Sequence, residues 1–327
     1  LNAYADSVNN KYYHNEQGIL SLMYHRFNEN KYPSTNIRMD IFKKQIEMIK
    51  TYDFEFFNPI NFDKEFNIPK TKKKILLTID DGFSSFYDNA WPFLKKNEIP
   101  FILFISTEAV GNYGYMTWDE IKEIEKEDFV FLGNHSHSHE YLINYNFKNF
   151  KMDINESIKI FKKNIGYNPI FFSYPFGEYS FEQKNYIIKN FKFAFGQHSG
   201  VIDLNKDKYE LPRFPINEEY GALDRFKSLI KYLPLQYKSI SPEDKFISKS
   251  NNPPKMYIDF FNSQKNLDTI SCYSNEGDGW DKTKIKLENK RLNILFRGKF
   301  KERRGRINCS MRDTEGWRWL GIQFSID

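Results

Sequence analysis

Two adjacent carboxylates end a strand-like apolar run in the stretch ILLTIDDGF at residues 75–83. Asp80 and Asp81 stand side by side there, and Gly82 follows them. Like charges on neighbouring residues repel, and a carboxylate near an apolar interior is costly unless it is paired or binds a metal ion. The same three residues also suit a solvated turn. The chemistry of the pair therefore depends on which side chains meet it.

Three histidines at alternate positions form a second group, in the stretch NHSHSHEY at residues 134–141. In an extended chain His135, His137 and His139 would share one face. In a helical turn His135 and His139 would point together and His137 would point away. Either conformation offers two imidazoles to a divalent metal, and Asp81 as a third ligand would leave an open coordination position, as catalytic zinc sites require. The alternative is a loop with three partly exposed histidines, but their number and the nearby carboxylates favour the metal.

Apolar strand-like runs alternate with amphipathic helical stretches from residue 18 to about residue 232. Near-continuous apolar strands separated by helices indicate a parallel sheet that is buried on both faces. Six or seven such units predict an α/β fold, a (β/α) barrel of about seven strands that is distorted or incomplete. The candidate strands are residues 18–25, 74–80, 101–106, 129–134, 170–175 and 191–196.

Polar side chains follow these strands at their carboxyl ends, where barrel folds gather their active sites. His25 ends the first strand, the aspartate pair ends the second, and the triple-histidine stretch follows the fourth. Phe176-Gly177-Glu178 and Gln197-His198 follow the last two. This coincidence is not expected of solvated turns and predicts one shared site.

The pattern of the chain changes after residue 236. Residues 236–254 are polar, carry serines and prolines, and predict a linker. Beyond them apolar residues alternate with polar ones, which predicts a small antiparallel β domain of the sandwich type. The predicted organisation is an N-terminal extension at 1–17, a barrel domain at 18–235, a linker at 236–254 and a β-rich accessory domain at 255–327.

Two features of the accessory domain could bind a glycan. Trp280, Trp317 and Trp319 could form a stacking platform, although core or hairpin packing is the favoured interpretation for a small β domain. The basic run KERRGR at 301–306 could recognise an anionic glycan or lipid head group, although a solvated hairpin is favoured.

The composition is that of a folded protein. Of the 327 residues, 40% are hydrophobic and 18% aromatic, which is too apolar for a disordered chain. The net charge of +5 is only a mild excess, and no nucleic-acid partner is predicted. No apolar run approaches the roughly 18 residues of a membrane span, so no transmembrane segment is predicted in the given chain.

The compartment is indicated only indirectly. The first residue is Leu1, which fits a removed signal peptide and equally a trimmed chain. Cys272 and Cys309 could form one disulfide or remain two buried thiols. A periplasmic or other extracytoplasmic location is favoured over the cytoplasm, and no oligomeric state is indicated.

The motifs TIDDGF, NHSHSH and FSYPFG resemble those of the polysaccharide deacetylase family, also called carbohydrate esterase family 4 or the NodB homology domain. The resemblance covers roughly residues 18–235. In that family the second aspartate and the two outer histidines bind a metal, usually zinc, and the first aspartate is the catalytic base. The resemblance thus implies Asp81, His135 and His139 as ligands of Zn2+, or alternatively Co2+ or Ni2+, and Asp80 as the base.

The chain departs from the commonest family pattern in two places. Ser173 stands where that pattern has an arginine, and no late Leu-x-His motif occurs near residue 215. Both departures resemble the permuted branch that includes the bacterial poly-N-acetylglucosamine deacetylases, whose acid histidine lies in a Tyr-His motif on the first strand. This resemblance implies His25 as the general acid, with His198 as its competitor. Arg213 is predicted to replace the missing arginine by pairing with Asp80.

The implied reaction is N-deacetylation of an amino sugar in a polysaccharide or cell-envelope glycan. The oxyanion would be held by the metal and by a backbone N–H near Tyr174, positioned by the Pro175-Phe176-Gly177 turn. The alternatives are a deformylase, a deacetylase of a lipid- or nucleotide-linked sugar, and a non-catalytic glycan-binding protein. Serine hydrolases and nucleotide enzymes lack support, because no G-x-S-x-G, G-x-G-x-x-G or P-loop motif occurs.

Overall fold

A curled parallel sheet forms the larger part of the molecule. The computed structural model describes residues 16–327, so the extension predicted at 1–17 lies outside the described residues except for its last two. Seven parallel strands follow the order β10-β1-β5-β6-β7-β8-β9, and the short β4 pairs with the start of β5. The strands of this part of the chain are β1 Ile19–Tyr24, β2 Arg26–Phe27, β3 Asn36–Ile37, β4 Glu55–Phe56, β5 Lys74–Ile79, β6 Phe101–Ile105, β7 Val130–Asn134, β8 Phe171–Ser173, β9 Phe193–Phe195 and β10 Phe214–Pro215.

Helices cover the outer face of this sheet. Three of them begin with a side-chain cap, by Thr117, Asn146 and Ser180, and the longest ends at Gly166 in the left-handed conformation. The helices are α1 Met39–Thr51, α2 Phe62–Phe66, α3 Trp91–Lys96, α4 Trp118–Glu125, α5 Phe147–Ile165, α6 Phe181–Asn190 and α7 Leu223–Leu229, with a π-helical turn at Phe86–Ala90 and 3-10 turns at Pro59–Asn61, Leu142–Asn144, Pro175–Gly177, Lys249–Asn251 and Leu267–Thr269. None of the helices in the described part of the chain is long and apolar enough to cross a membrane.

The sheet forms an incomplete barrel. The ladder does not close between β9 and β10, the two ends of the strand order, and the segment 200–213 lies there. It contacts the barrel strands through the isolated bridges of Leu211 with Phe195 and of Ile202 with Ile19. The predicted distorted (β/α) barrel of about seven strands is therefore confirmed.

Alternation along the strands decides what faces the barrel interior. Side chains two residues apart share a face, so Leu76, Thr78 and Asp80 point inward one above the other. On β8 the same alternation places Phe171 and Ser173 inward. The interior is thus apolar at the amino ends of the strands and polar at their carboxyl ends, where the predicted site residues lie.

The C-terminal region is a β-sandwich, which confirms the predicted antiparallel β domain. One sheet has the order β11-β20-β19-β15-β16, with β13 also paired to β20, and the other has the order β12-β14-β18-β17. Buried side chains of both sheets form one core. Its strands are β11 Leu233–Pro234, β12 Ser239–Ser241, β13 Phe246–Ile247, β14 Met256–Asp259, β15 Ser271–Asn275, β16 Trp280–Lys282, β17 Lys284–Glu288, β18 Arg291–Leu295, β19 Arg304–Arg312 and β20 Trp317–Ile326.

The structure corrects one prediction for this domain, the linker, and decides a second, the state of the two cysteines. The segment 236–254, predicted as a linker, contributes β12 and β13, because Ile240 and Ile247 are buried in the sandwich core. Cys272 lies directly opposite Cys309 on the neighbouring strand, and the two form a disulfide.

Phe62 closes the bottom of the barrel and yields a prediction about stability. Its ring is buried and contacts Phe193, with ring centroids 4.5 Å apart, and Phe171, at 5.4 Å. Because Phe62→Ala leaves a cavity there, we expect it to lower the free energy of unfolding by about 3–5 kcal/mol in denaturant titrations. The matched control is Ile60→Ala in the preceding turn, where the side chain is 63% exposed and a change within about 0.5 kcal/mol is expected. Equal effects of the two variants would contradict this role.

Candidate active site

Asp81, His135 and His139 bring three ligand atoms together at the carboxyl ends of β5 and β7. Oδ1 of Asp81 lies 3.3 Å from Nε2 of His135 and 3.2 Å from Nε2 of His139. All three atoms lie within 4.8 Å of one another. Ligand atoms held tetrahedrally at about 2.0–2.2 Å from one zinc ion are about 3.4 Å apart, so the cluster fits a metal ion.

Hydrogen bonding at His135 supports the same fit. Nδ1 of His135 donates to the carbonyl oxygen of Ser173 at 2.7 Å, which leaves a lone pair on Nε2 of the neutral ring. Nε2 of His135 and Oδ1 of Asp81 are buried without a hydrogen-bond partner. Two lone pairs that face each other at 3.3 Å repel unless a cation lies between them. These residues therefore match the requirements of a divalent ion.

The loop after β7 folds so that His135 and His139 converge. Ser136 and His139 adopt positive φ angles of 70° and 52°, and the N–H of His139 donates to Oγ of Ser136 at 3.0 Å. Asp153 on α5 anchors the loop by accepting from the N–H of His137 at 2.8 Å. His137 turns away and contacts Thr107 instead. The grouping of the histidines is the one expected of a helical turn, although the loop itself is not helical.

Asp80 is held by Arg213 in a fully buried ion pair. Nη1 and Nη2 of Arg213 donate to the two carboxylate oxygens at 2.7 Å and 2.9 Å. Arg213 also donates to Oγ of Ser173 at 2.8 Å, so the small side chain at this position leaves room for the guanidinium. Burial alone would raise the pKa of Asp80, but Arg213 and the neighbouring histidines outweigh it and lower the pKa, so the carboxylate is ionised.

His25 lies near the carboxylate of Asp80. Its Nε2 is 4.0 Å from Oδ2 of Asp80, and it lines a cleft of about 390 Å³ together with Asp81 and His139. Burial lowers the pKa of His25, and the carboxylates of Asp81 and Asp80 offset part of that shift. For Asp81 burial acts in the opposite direction, but the two histidines around it hold its pKa well below the ordinary value.

The turn at Pro175–Gly177 borders the same cleft through Phe176, whose φ is 59°. The N–H of Tyr174 donates to the carbonyl oxygen of Phe195 at 3.0 Å, so this N–H is not available to an oxyanion. Pro175 has no N–H, and the N–H of Gly177 donates to Tyr174 at 2.9 Å. Phe176 is thus the residue of this turn whose amide suits the predicted oxyanion contact, rather than Tyr174, whose ring packs in a separate apolar cluster.

His198 is not brought together with the aspartates. Its Nε2 donates to the carbonyl oxygen of Glu210 at 2.9 Å, and burial lowers its pKa to about 3. It lines neighbouring clefts but not the one that contains His25 and Asp81.

The β domain supplies site residues that the sequence pattern did not identify. Arg304, Arg306 and Gln323 line the cleft beside Asp81 and His139. The only sequence signal for them was the basic run at 301–306, and nothing in it indicated which domain surface it would face.

The comparisons with known proteins identify the class of this protein: hydrolases that act on carbon–nitrogen amide bonds. Residues 67–193 match the family model of the polysaccharide deacetylases. The chain is 25% identical over 260 residues to the poly-beta-1,6-N-acetyl-D-glucosamine N-deacetylase of Staphylococcus epidermidis, covering 71% of this chain and 88% of that protein. It is 27% identical over 258 residues to the protein of the same name from Staphylococcus aureus, covering 69% and 86%.

Two solved structures share the barrel fold. The Streptococcus pyogenes deacetylase PplD, in complex with acetate, has a TM-score of 0.57 and 23% identity and covers 62% of this chain and 93% of its own. IcaB from Ammonifex degensii has a TM-score of 0.58 and 21% identity and covers 66% and 97%.

The two outer histidines generate a prediction about metal content. We expect His139→Ala to weaken zinc binding by more than about 100-fold, because one of three ligand atoms is lost. His137→Ala is the matched control, since that ring faces Thr107 and should leave the metal content unchanged. The measurement is metal content after dialysis against a zinc buffer. Loss of zinc from the His137 variant alone would overturn this ligand assignment.

Proposed function

We propose that this protein is a metal-dependent N-deacetylase of an N-acetylated amino sugar in a polysaccharide or cell-envelope glycan, which releases acetate. The observation that carries the proposal is the adjacency of two differently held aspartates. Asp80 is fixed by Arg213, while Asp81 belongs to the unsatisfied cluster with His135 and His139. The names of the staphylococcal relatives, which are N-deacetylases of a glucosamine polymer, support the same reaction.

Asp80 is the proposed general base. A divalent ion bound by Asp81, His135 and His139 would supply Lewis-acid polarisation and lower the pKa of water. The two hydrogen bonds from Arg213 keep Asp80 ionised and fix its orientation, with Oδ2 3.8 Å from Nε2 of His135 and therefore beside the cluster. Asp80 accepts the proton of the attacking water molecule at this oxygen.

His25 is the proposed general acid. An amide nitrogen does not leave as an anion, so the departing amine must receive a proton. Nε2 of His25 lies 4.0 Å from Oδ2 of Asp80, on the cleft side of the carboxylate. Asp80 and Asp81 favour the imidazolium form and so offset part of the cost of burial. The position and the charges around His25 support it over His198, whose ring nitrogen is bound to a backbone carbonyl.

The backbone amide of Phe176 is the proposed oxyanion donor. Phe176 borders the cleft, and its ring contacts that of His139, with centroids 4.9 Å apart. A fixed amide dipole aimed at the developing negative charge stabilises the tetrahedral intermediate more than the ground state. The left-handed conformation of Phe176 is a strained one for a residue with a side chain, as is common where backbone groups are positioned for function.

An extracytoplasmic location is part of the proposal. The bond between Cys272 and Cys309 supports it, because disulfides persist in oxidising compartments and are rare in the cytosol. A glycan of the cell envelope would be accessible there.

The division of labour between the aspartates is tested with Asp80→Asn. We expect acetate release from β-linked N-acetylglucosamine oligomers to fall by at least about 1,000-fold while zinc content is retained, because the amide cannot act as a base. Asp119→Asn, an exposed position in the first turn of α4, is the control and should keep full activity. Loss of zinc together with activity in the Asp80 variant would contradict the separate roles.

The choice of acid is tested with a pair of histidine variants. We expect His25→Asn to lower kcat by about 100- to 10,000-fold, whereas His198→Asn changes it less than about 3-fold. The measurement is acetate release at saturating oligomer with zinc present. A large loss in the His198 variant with an intact His25 variant would reverse the assignment. Thermal unfolding of both proteins separates a loss of chemistry from a loss of folding.

A further inference from the structure

One wall of the active-site cleft belongs to the β-sandwich. Along β19 the odd-numbered residues are buried in the sandwich core, and the even-numbered residues face outward. Arg304 and Arg306 are consecutive members of this outward face, about 7 Å apart along the strand. Both line the cleft that contains Asp81 and His139.

Specific contacts fix this wall to the proposed site. Nε2 of Gln323 on β20 donates to the carbonyl oxygen of Phe176 at 2.9 Å. Arg303 donates to both carboxylate oxygens of the buried Glu178 at 2.7 Å, and its guanidinium lies 3.4 Å from the ring centroid of Tyr141. Tyr141 in turn stacks on Phe176, with centroids 4.3 Å apart. The β domain is thus attached directly to the turn that borders the cleft.

The cleft continues along the β domain as a second depression. The two clefts share Gln197, Pro215, Tyr220 and Arg306. The second is also lined by Trp280, which is 40% exposed, and by Arg225. Together they form one groove that leads from the proposed metal site to an aromatic face suited to sugar stacking.

Positive charge dominates this groove. Arg304 lies 3.5 Å from Glu178, which Arg303 already neutralises. Arg306 has no carboxylate partner among residues 16–327, and its guanidinium lies over Trp280 at 5.4 Å. Arg225 donates to the backbone oxygen of Tyr220. Among the described residues that line the groove, the only carboxylate is Asp81, the proposed metal ligand.

We propose that Arg304, Arg306 and Arg225 form an anion-binding subsite that selects glycans with an acidic group near the N-acetyl sugar. The subsite takes a phosphodiester or a carboxylate, because guanidinium groups bind both. A neutral glycan would make no use of three guanidinium groups in the groove, of which Arg304 shares Glu178 with Arg303 while Arg306 and Arg225 have no carboxylate partner among residues 16–327. The free amine produced by deacetylation is cationic and would be repelled there, so already deacetylated segments bind weakly. This inference rests on the proposed deacetylase function and adds the substrate class.

The experiment compares three oligomers of N-acetylglucosamine that are matched in length. One is neutral, one carries a phosphodiester next to an N-acetyl sugar, and one carries a uronic acid there. With zinc bound, we expect KM for at least one acidic oligomer to be roughly 10-fold below that for the neutral one, as one or two charge-assisted hydrogen bonds would give. The acidic oligomer with the lower KM shows whether the subsite binds a phosphodiester or a carboxylate.

Variants on a single strand assign the preference to the groove. Arg306→Gln should bring the ratio of the two KM values close to 1, and Arg306→Lys should restore part of it, because the charge remains without the planar fork. Arg312→Gln is the matched control: it lies on the same strand and the same outward face, is exposed, and does not line the groove. It should keep the preference. Thermal unfolding of each variant shows that the domain remains folded.

The outcomes separate this inference from the function on which it rests. Equal KM values for acidic and neutral oligomers, or a preference that survives in Arg306→Gln, would overturn the subsite while leaving the deacetylase intact. If no oligomer releases acetate, the deacetylase proposal fails. The subsite is then tested separately, by measuring how tightly the acidic and neutral oligomers bind. Calorimetry with zinc-loaded Asp80→Asn should then show roughly 10-fold tighter binding of an acidic oligomer, lost in the double variant with Arg306→Gln. Equal binding of all oligomers would reject it.

Discussion

The buried ion pair between Asp80 and Arg213 is the constraint on which the rest of the site depends. Two charges removed from water destabilise a protein by several kcal/mol per ion unless their hydrogen bonds are satisfied. Here Arg213 satisfies the pair and also donates to Thr78, to Ser173 and to the carbonyl oxygen of Gly196. One guanidinium therefore joins β5, β8 and the end of β9, and the incomplete side of the barrel is where the segment carrying Arg213 enters. The opening in the barrel gives this segment access to the interior, and the ion pair with Asp80 holds Arg213 there.

Ser173 connects this pair to the proposed metal ligands. Its hydroxyl accepts from Arg213, and its carbonyl oxygen accepts from Nδ1 of His135. The orientation of the proposed base and that of a ligand imidazole are thus set by the same residue. A larger side chain at this position would occupy the volume of the guanidinium. The serine is consequently part of the same arrangement as Arg213, which fits the prediction that Arg213 takes the place of the arginine in the commonest family pattern.

The sequence predicted the parts of this arrangement that follow from local pattern. Six of the seven barrel strands appear as apolar runs, and polar residues at their carboxyl ends indicated the cluster of Asp81 and the histidines. The pairing of Arg213 with Asp80 was anticipated from the family pattern.

The strand Phe214–Pro215 has two residues and carries no periodicity, so it was missed. The same reason applies to the short strands within 236–254, where isolated apolar residues such as Ile240 give no signal until the sandwich core that buries them is known. Domain docking is a long-range property, so no local pattern placed Arg306 at the cleft.

The proposed chemistry lies in the barrel, whereas two of the three arginines of the proposed subsite, Arg304 and Arg306, lie on the β-sandwich and the third, Arg225, lies on α7 of the barrel. Within the barrel, Arg213 neutralises Asp80, and a bound cation would neutralise Asp81, so the buried groups contribute little net potential at the mouth of the cleft. The potential there is set by the arginines of β19 and by Arg225, which lie at the surface and are only partly paired. The disulfide joins β15 to β19 through the buried face of the strand, while the arginines occupy its outward face. A substitution on that outward face can thus change which glycan is bound without disturbing either the sandwich core or the buried pair that holds the proposed base.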